Sequence, residues 1–468
     1  MSKAKQMKKF NYHIATCCSL LLMICFLSCK VSQTYKLPDN LVNKDLFRDS
    51  PSTDTVTLAT IPWREFFTDT LLQSLISEGL NNNTDLKIAV YRIKQAETNF
   101  EQSKSAFWPS LNASLSATSQ KLADIQLGRT QLQQAYLSSS WQANLWGKLS
   151  SAKRAALASL LQSESNQKAV RTQLIENIAG SYYRLQAYDA QLQITQQTLE
   201  VQKHDVELMQ ALKASNVVTG ADVAQSEANR YSVEIAIPDL KQAIRETENS
   251  ISVLIGRSPG PIMRDSLRNE IPGKNLNTGI PLQLLSNRPD VAASEYQLRN
   301  SFELTNVARS YFYPSFNITA QAGYVSQNIA SLFNMSSIFG NIIGGLTEPI
   351  FANGLNKQRL KLAQAQVESD LASFKQSLLN AGQEVSNALF SYQTATEKIQ
   401  IRSQQIAYLS KSVDFLKELV KYTSNTNYTD VLTSEQSLLS AQLNGVGDKL
   451  QQLQSVISLY ASVGGGAR

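Results

Sequence analysis

The chain contains the same unit twice, in the same order, and this duplication is the strongest constraint on its fold. Residues 105–118 read SAFWPSLNASLSAT, and residues 308–322 read ARSYFYPSFNITAQA, so the proline-serine pair and the alternating run after it recur. Matched residues keep a spacing of 205 to 208 positions over the two copies: Asp85 and Asp290, Pro109 and Pro314, and Asp222 and Asp430. Whatever structure one half forms, the other half is expected to form as well.

Each copy contains a long stretch without helix breakers. Residues 148–215 and 355–421 contain no proline and one glycine each, Gly180 and Gly382. Apolar residues recur there at steps of three, four or seven, which is typical of a coiled-coil seam. At a rise of ~1.5 Å per residue, each stretch is on the order of 100 Å long as one helix. This length predicts a coiled coil or a helical array rather than a compact core.

A turn and a returning helix follow each long helix. In the first half Asn216 and Gly220 are the candidate left-handed residues of the turn, and in the second half Asn425 and Asn427 take that place. The returning helices are predicted over residues 221–255 and 429–463, with Pro238 interrupting and bending the first. Each half therefore reads helix, strand, strand, long helix, turn, helix.

Two amphipathic strands precede each long helix, at residues 110–119, 135–145, 315–325 and 341–351. Their length of about ten residues suits a tilted membrane-spanning strand. The candidates for lipid contact are Leu115, Trp141, Ile318 and Ile343, whereas Ser116 and Thr319 are expected to face water. Four strands cannot close a barrel, and open edges are not tolerated in lipid, so several chains would have to share one barrel. A small soluble sheet is the alternative.

The first residues have the layout of a secretory signal, with four lysines before an apolar run that ends FLSCK. This ending resembles the lipobox of bacterial lipoproteins, with Phe26 where leucine is usual. The resemblance implies cleavage after residue 28 and acylation of Cys29, and an ordinary signal with a cysteine near its cut is the alternative.

Composition argues against several classes of function. Residues 1–28 contain four lysines and no acidic residue, so their removal lowers the formal charge from +6 to +2 and removes the main support for nucleic-acid binding. Cys29 is then the only cysteine and His204 the only histidine. No metal-binding cluster, phosphate loop or nucleophile motif is present, and His204 lies in a polar helical context. No enzyme activity, cofactor or metal is predicted.

Several motifs, in order along the chain, resemble those of one family. WREFFTDTLLQSLI contains the tryptophan, phenylalanine and aspartate with which the family opens, and NTDLKIAVYRIKQA resembles the helix that follows. NRPDVAASEYQL contains the Arg-Pro-Asp signature of the family. EPIFANG resembles the exit from the second-half strands, and VGGGAR resembles the glycine-rich end. The chain resembles the TolC-like outer-membrane efflux proteins, in particular the NodT-like lipoprotein branch that serves resistance-nodulation-division pumps. The resemblance covers nearly the whole mature chain.

The resemblance implies a homotrimer in outer-membrane lipid, with a periplasmic membrane-fusion adaptor and an inner-membrane resistance-nodulation-division pump as partners. It places a periplasmic gate at the hairpin ends. Asp430 stands at the first position of the family's acidic ring, Thr433 replaces its second aspartate, and Asp222 is the first-half counterpart. Adaptor contact is expected at the turns that contain Asn216, Gly220, Asn425 and Asn427, where Asn425 replaces a family glycine.

The expected fold class is mainly α with membrane β: a duplicated helix-strand-strand-helix-helix unit in a trimeric twelve-stranded outer-membrane β-barrel, continued by a long periplasmic α-helical barrel. The predicted segments are a signal peptide (1–28), a lipidated segment (29–62), the first repeat (63–260), a linker (261–282) and the second repeat (283–468). The predicted function is the outer-membrane channel of a tripartite efflux system. A type I protein-secretion channel and a periplasmic coiled-coil lipoprotein scaffold are the alternatives.

Overall fold

A computed structural model describes residues 31–37, 58–120, 130–267, 287–422 and 428–467. The first half contains α1 (Trp63–Phe66), α2 (Thr70–Asn82), α3 (Thr84–Ser105), β1 (Ser110–Gln120), β2 (Thr130–Gln142), α4 (Lys148–Ala214) and α5 (Gly220–Leu254). The second half contains α6 (Pro289–Ser310), β3 (Ser315–Ser326), β4 (Ile338–Thr347), α7 (Leu355–Tyr422) and α8 (Tyr428–Ser462). Both halves thus contain the predicted order of elements.

The two long helices are confirmed, with 67 residues in α4 and 68 in α7. Both begin after a glycine in the left-handed backbone conformation, which glycine adopts without strain: Gly147 at φ 77° and Gly354 at φ 76°. Pro238 does not interrupt the first returning helix, because α5 continues through it from Gly220 to Leu254, and the bend at Pro238 stays a prediction. No helix in the described part of the chain combines the length and apolar character needed to cross a bilayer.

The strands form one antiparallel sheet in the order β1-β2-β3-β4. The first and third strands lie where they were predicted. The second and fourth begin and end earlier than expected, at Thr130–Gln142 and Ile338–Thr347. The second ends two residues before Asn144, whose side-chain oxygen accepts a hydrogen bond from Leu149 N at 2.8 Å in the first turn of α4. Pro349 follows the fourth and has no N–H to donate to a ladder.

The register sorts the strand residues into an apolar and a polar face. Trp141 lies opposite Ile318, and on the same face Leu115 lies opposite Ala135. These three predicted lipid contacts, Leu115, Trp141 and Ile318, therefore share one face. The fourth is wrong: Ile343 lies opposite Thr319 on the polar face. The β4 strand is apolar on both faces, so alternation could not fix its register, and Ile342 is the residue that faces the apolar side.

The chain divides into two compact units, each with segments from both halves. The first unit takes its described residues from 1–38, 95–161 and 295–372, and so contains the whole sheet. Its N-terminal segment is held by Asn306, which accepts a hydrogen bond from Gln33 N at 3.0 Å and donates to Gln33 O at 2.9 Å. Ser32 accepts from Arg154, which also forms a double hydrogen bond with the buried Glu303. The start of the described chain is therefore fixed beside the ends of α6 and α4.

The second unit takes its described residues from 39–94, 162–294 and 373–468 and contains the residues of the opening motif. Asp69 caps α2 by accepting hydrogen bonds from Leu71 N and Leu72 N, and it also accepts one from the buried Tyr182 hydroxyl at 2.8 Å. Phe66 stacks on Tyr460 with ring centroids 4.0 Å apart. The motif residues thus have structural roles in this core.

Candidate functional site

The first hairpin end is closed by a left-handed asparagine. Asn216 has a φ of 58°, as predicted, and Val217 N donates back to Leu212 O at 2.9 Å. This is the hydrogen bond of a Schellman motif, which satisfies a carbonyl at the end of α4. Gly220 does not take the second left-handed place that was predicted for it. It is the first residue of α5, after the N-cap residue Thr219.

Asp222 forms a capping box with Thr219. Its carboxylate accepts hydrogen bonds from Thr219 N at 2.8 Å and from the Thr219 hydroxyl at 2.7 Å, and its own N–H donates to that hydroxyl oxygen at 3.3 Å. These hydrogen bonds to Thr219 hold the pKa of Asp222 below its usual value. Asp222 is therefore an ionised helix cap on an exposed surface.

The second hairpin end contains Asp430 and Thr433, both exposed in the first turns of α8. The Thr433 hydroxyl donates to Thr429 O at 2.8 Å. A groove between α5, α7 and α8 brings Thr433 together with Asp222, and Arg402 lines it as well. Asp430 lies at the equivalent place to Asp222 but is not among the described residues that line this groove. Asn425 and Asn427 lie outside the described residues.

An apolar cluster packs the two hairpins against each other near these ends. Its buried members are Met209 from α4 and Tyr428, Val431 and Leu432 from α8. The flanking contacts come from α4, α5, α7 and the turn between α4 and α5: Leu212, Val223, Leu416, Val420 and Val218. The hairpin ends are thus held together by side-chain packing as well as by backbone turns.

A buried charged cluster lies beside this apolar one and was missed by the sequence analysis. Lys417 of α7 forms an ion pair with Glu435 of α8 and lies 3.6 Å from the carboxylate of Asp205 in α4. Glu435 and Asp205 are only 6% and 7% exposed. Gln202, Asp205 and Met209, spaced by three and four, share a buried helix face, and this acidic residue on an otherwise uncharged face was the available signal.

The environment of this cluster changes the proton affinity of its members. Burial raises the pKa of Glu435 to about 7, with the charge of Asp205 acting in the same direction and Lys417 opposing both. Burial opposes the charge of Lys417, but its contact with Glu435 holds the pKa of Lys417 above the ordinary value. Burial also raises the pKa of Tyr428, so its hydroxyl stays protonated.

The remaining candidates from the sequence are His204 and Cys29, and the sequence predicts no metal site. His204 is exposed on α4, 3.4 Å from Glu207, as expected for a solvated helix residue. Cys29 lies outside the described residues. Among the residues that the structure describes, no group of histidine, cysteine, aspartate and glutamate side chains is arranged to hold a metal ion.

Comparison with known proteins identifies the family. The profile of the outer membrane efflux protein family matches residues 75–257 and 280–465, most of the chain in two consecutive segments. The chain belongs to this family. It is 28% identical over 410 residues to the cation efflux system protein CusC of Escherichia coli O6:H1, covering 86% of this chain and 88% of that one.

Solved structures agree with the family and its fold. A crystal structure of CusC superimposes with a TM-score of 0.85 at 25% identity, over 93% of this chain and all of that one. The open state of the Neisseria gonorrhoeae outer membrane channel MtrE superimposes with a TM-score of 0.82 at 23% identity, over 94% and 99% of the two chains. The fold predicted from the duplicated unit is confirmed.

The predicted function and location are confirmed at the level of the family. The protein is an outer-membrane channel of an efflux system, not a scaffold without a channel. The segment boundaries assigned from the sequence stay a prediction. The same holds for the site residues: Cys29, Asp222, Asp430 and Thr433, and the turn residues Asn216, Gly220, Asn425 and Asn427.

Proposed function

We propose that the protein is a homotrimer whose three sheets close one twelve-stranded barrel in the outer membrane. The long hairpins continue this conduit into the periplasm, where a membrane-fusion adaptor contacts their ends and an inner-membrane resistance-nodulation-division pump supplies the energy. The channel conducts substrates passively and catalyses no bond chemistry. Its opening is a rearrangement of packed helices between two states.

The observation that carries this proposal is the open sheet with one apolar face. Leu115 and Ile342 on that face are each 79% exposed, although both are large apolar side chains. The outer edges of β1 and β4 have no strand partner among the described residues. Lipid accepts exposed apolar side chains but not unpaired strand edges, so further copies of this sheet must complete the ladder. Three copies of four strands give an even number, as bacterial barrels have.

An acyl anchor at Cys29 fits the same arrangement. Val31 to Leu37 begin two residues after Cys29, and Ser32 is fixed beside Ser151 in the first turn of α4, just after β2 ends. Three residues extend over at most about 11 Å, so an acyl chain on Cys29 would be attached within that distance of Ser32. One chain gives modest membrane affinity, so the anchor assists a barrel that inserts by its own strands.

The gate proposal assigns different roles to equivalent residues. Three copies of Asp430 around one axis would repel one another, attract cations and make the narrow end cation-preferring. Asp222 stays a helix cap in this scheme, because its carboxylate is already bound to Thr219. Thr433 adds a hydroxyl at the groove but no charge. The turns around Asn216, Gly220, Asn425 and Asn427 are the proposed contacts with the adaptor.

Cross-linking between the two sheet edges tests the trimeric barrel. In a Ser114→Cys/Asn341→Cys variant, a thiol reagent of graded length should join β1 of one chain to β4 of the next, giving bands up to three chains and none beyond. A Ser138→Cys/Gln321→Cys variant is the control, because these residues are paired within one chain. Edge cross-links that never exceed a monomer would overturn the proposal.

A further inference from the structure

The cluster of Asp205, Lys417 and Glu435 contains two buried acidic side chains and only one basic side chain. Two carboxylates from α4 and α8 share one ammonium group, that of Lys417 in α7. Glu435 Oε1 contacts the Lys417 ammonium group, but Asp205 Oδ2 and Glu435 Oε2 are buried without a hydrogen-bond partner among the described residues. Buried charge that is incompletely paired costs free energy, and the cost disappears when one carboxylate takes up a proton or when water enters.

The position of the cluster couples it to the hairpin ends. Asp205 belongs to the first hairpin, and Lys417 and Glu435 belong to the second. Val431 and Leu432, within one turn of Glu435, pack on Met209 of the first hairpin. Parting the hairpins therefore separates Asp205 from Lys417 and exposes Glu435 to water. This step rests on the proposed function, in which the hairpin ends move when the channel opens.

We propose that this cluster is a proton-controlled latch, which keeps the two hairpin ends packed when Glu435 is protonated and loosens them when Glu435 ionises. The groups that face Glu435 are Asp205 from α4, Lys417 from α7 and Tyr428 from its own helix. Ionised Glu435 and Asp205 repel each other, and Lys417 can neutralise only one of them.

The sign of the effect follows from the proton affinity of Glu435 in the packed state. Its pKa of about 7 lies above the ordinary glutamate value of 4.5 that it regains in water. The packed state thus holds the proton more tightly than the parted state. The resulting stabilisation is fully present below the ordinary pKa and is lost as the pH rises through about 7. Acid keeps the hairpins together and neutral pH releases them.

The first hairpin provides a matched control. Glu227 is 208 positions before Glu435, in the same place of the repeat. Its carboxylate lies 3.1 Å from Arg230 on its own helix and receives a contact from Gln210 at 3.4 Å, and its side chain is one-third exposed. This glutamate has its own cation and access to water, so it lacks the buried and incompletely paired surroundings of Glu435.

Planar-bilayer recordings of the purified full-length protein from about pH 5 to pH 8 test the latch. We expect the ratio of open to closed time to rise about tenfold or more over this range in the wild type. Glu435→Gln should remove the dependence and keep the channel mostly closed, whereas Glu227→Gln should behave as the wild type. Asp205→Asn removes the repulsion and should move the midpoint to lower pH.

Thermal unfolding of the same proteins in detergent tests the cluster without requiring conductance. The melting temperature of the wild type should fall more between about pH 5 and pH 8 than that of Glu435→Gln. Equal pH profiles for wild type, Glu435→Gln and Glu227→Gln in both experiments would overturn the latch. If no variant conducts at any pH, the proposed function fails, and the melting profiles alone decide whether the cluster binds a proton as inferred.

Discussion

The two halves of the chain make the same tertiary hydrogen bond with different residues. In the first half Asn83, just before α3, donates from Nδ2 to Leu254 O at the end of α5, over 2.8 Å. In the second half Arg288, just before α6, donates from Nη1 to Ser462 O at the end of α8, over 2.9 Å. In both, the start of a short helix is tied to the last carbonyl of the returning helix.

The backbone at this junction is unchanged between the halves. Gly256 and Gly464 follow the two returning helices with φ values of 75° and 95°. A Cβ at Gly256 would lie 2.7 Å from Asn82 O, and one at Gly464 would lie 2.2 Å from Asn287 O. Both sites therefore require glycine for two reasons, the left-handed backbone and the close approach of another chain segment.

The two junctions differ in the charge of the donor side chain, which is neutral at Asn83 and positive at Arg288. Arg288 is 6% exposed and also binds Asp290 and Glu384, each at 2.6 Å. Burial opposes its charge, but the hydrogen bonds with Asp290 hold the pKa of Arg288 above its ordinary value. Duplicated units thus keep the backbone where geometry allows one residue, and vary the side chain where several can reach one carbonyl. The Arg-Pro-Asp signature acquires a structural explanation from this junction.

The largest effect on stability is expected when Arg288 and Asn83, the two donors at these junctions, are each truncated to alanine. Arg288→Ala leaves Ser462 O without its donor and two carboxylates without their cation, and we expect a loss of about 3 kcal/mol in unfolding free energy. Asn83→Ala removes a helix cap and one hydrogen bond, at a cost of about 1 kcal/mol. Denaturant unfolding in detergent measures both. Equal losses would mean that the charges around Arg288 add nothing.

The two faces of the sheet give the next largest contrast, at neighbouring positions of β4. Ile342→Arg places a charge on the apolar face and should cost about 2–4 kcal/mol at mid-membrane. Ile343→Arg places it on the polar face beside Thr319 and should cost less than about 1 kcal/mol. Yield of folded protein in the outer membrane and resistance to heat in detergent measure the difference. Similar losses at both positions would show that the polar face is not in water.

The two junction glycines should lose similar amounts. Gly256→Ala and Gly464→Ala each force a Cβ against a backbone carbonyl in a left-handed conformation, and we expect each to cost about 1–3 kcal/mol. Gly180→Ala in α4 is the control, because a Cβ there meets nothing within 4 Å. A loss in one half alone would contradict the equivalence of the two junctions.

The smallest effect on stability is expected at the equivalent aspartates Asp222 and Asp430. Asp222→Ala should cost about 1 kcal/mol, because it removes half of a capping box, and should leave ion selectivity unchanged. Asp430→Asn should keep stability, since asparagine also caps helices, but should weaken cation selectivity and block by trivalent cations. Reversal-potential measurements separate the two. Unchanged selectivity in a well-folded Asp430→Asn trimer would leave Asp430 as a cap only.

The amino-acid sequence alone predicted the features that depend on residues close together along the chain. The proline-free runs defined α4 and α7, and the tolerance of asparagine for the left-handed region placed Asn216. Prediction from the sequence failed where the alternation of apolar and polar residues was ambiguous, and where a contact joins residues far apart along the chain. Ile342 and Ile343 are both apolar, so only the pairing with Thr319 assigns their faces. Lys417 and Glu435 meet Asp205 from over two hundred residues away, so the position of Asp205 on an otherwise uncharged helix face marks it as unusual but does not show which charges it meets.

Planar-bilayer conductance of the purified protein, with its native mass in detergent, tests most directly whether two copies of one unit in each chain build a shared channel. We predict a trimer that needs detergent to stay in solution and shows discrete single-channel openings, because the apolar face of the sheet must be covered and the barrel must close. A monomer that stays soluble without detergent and conducts no current would contradict this account.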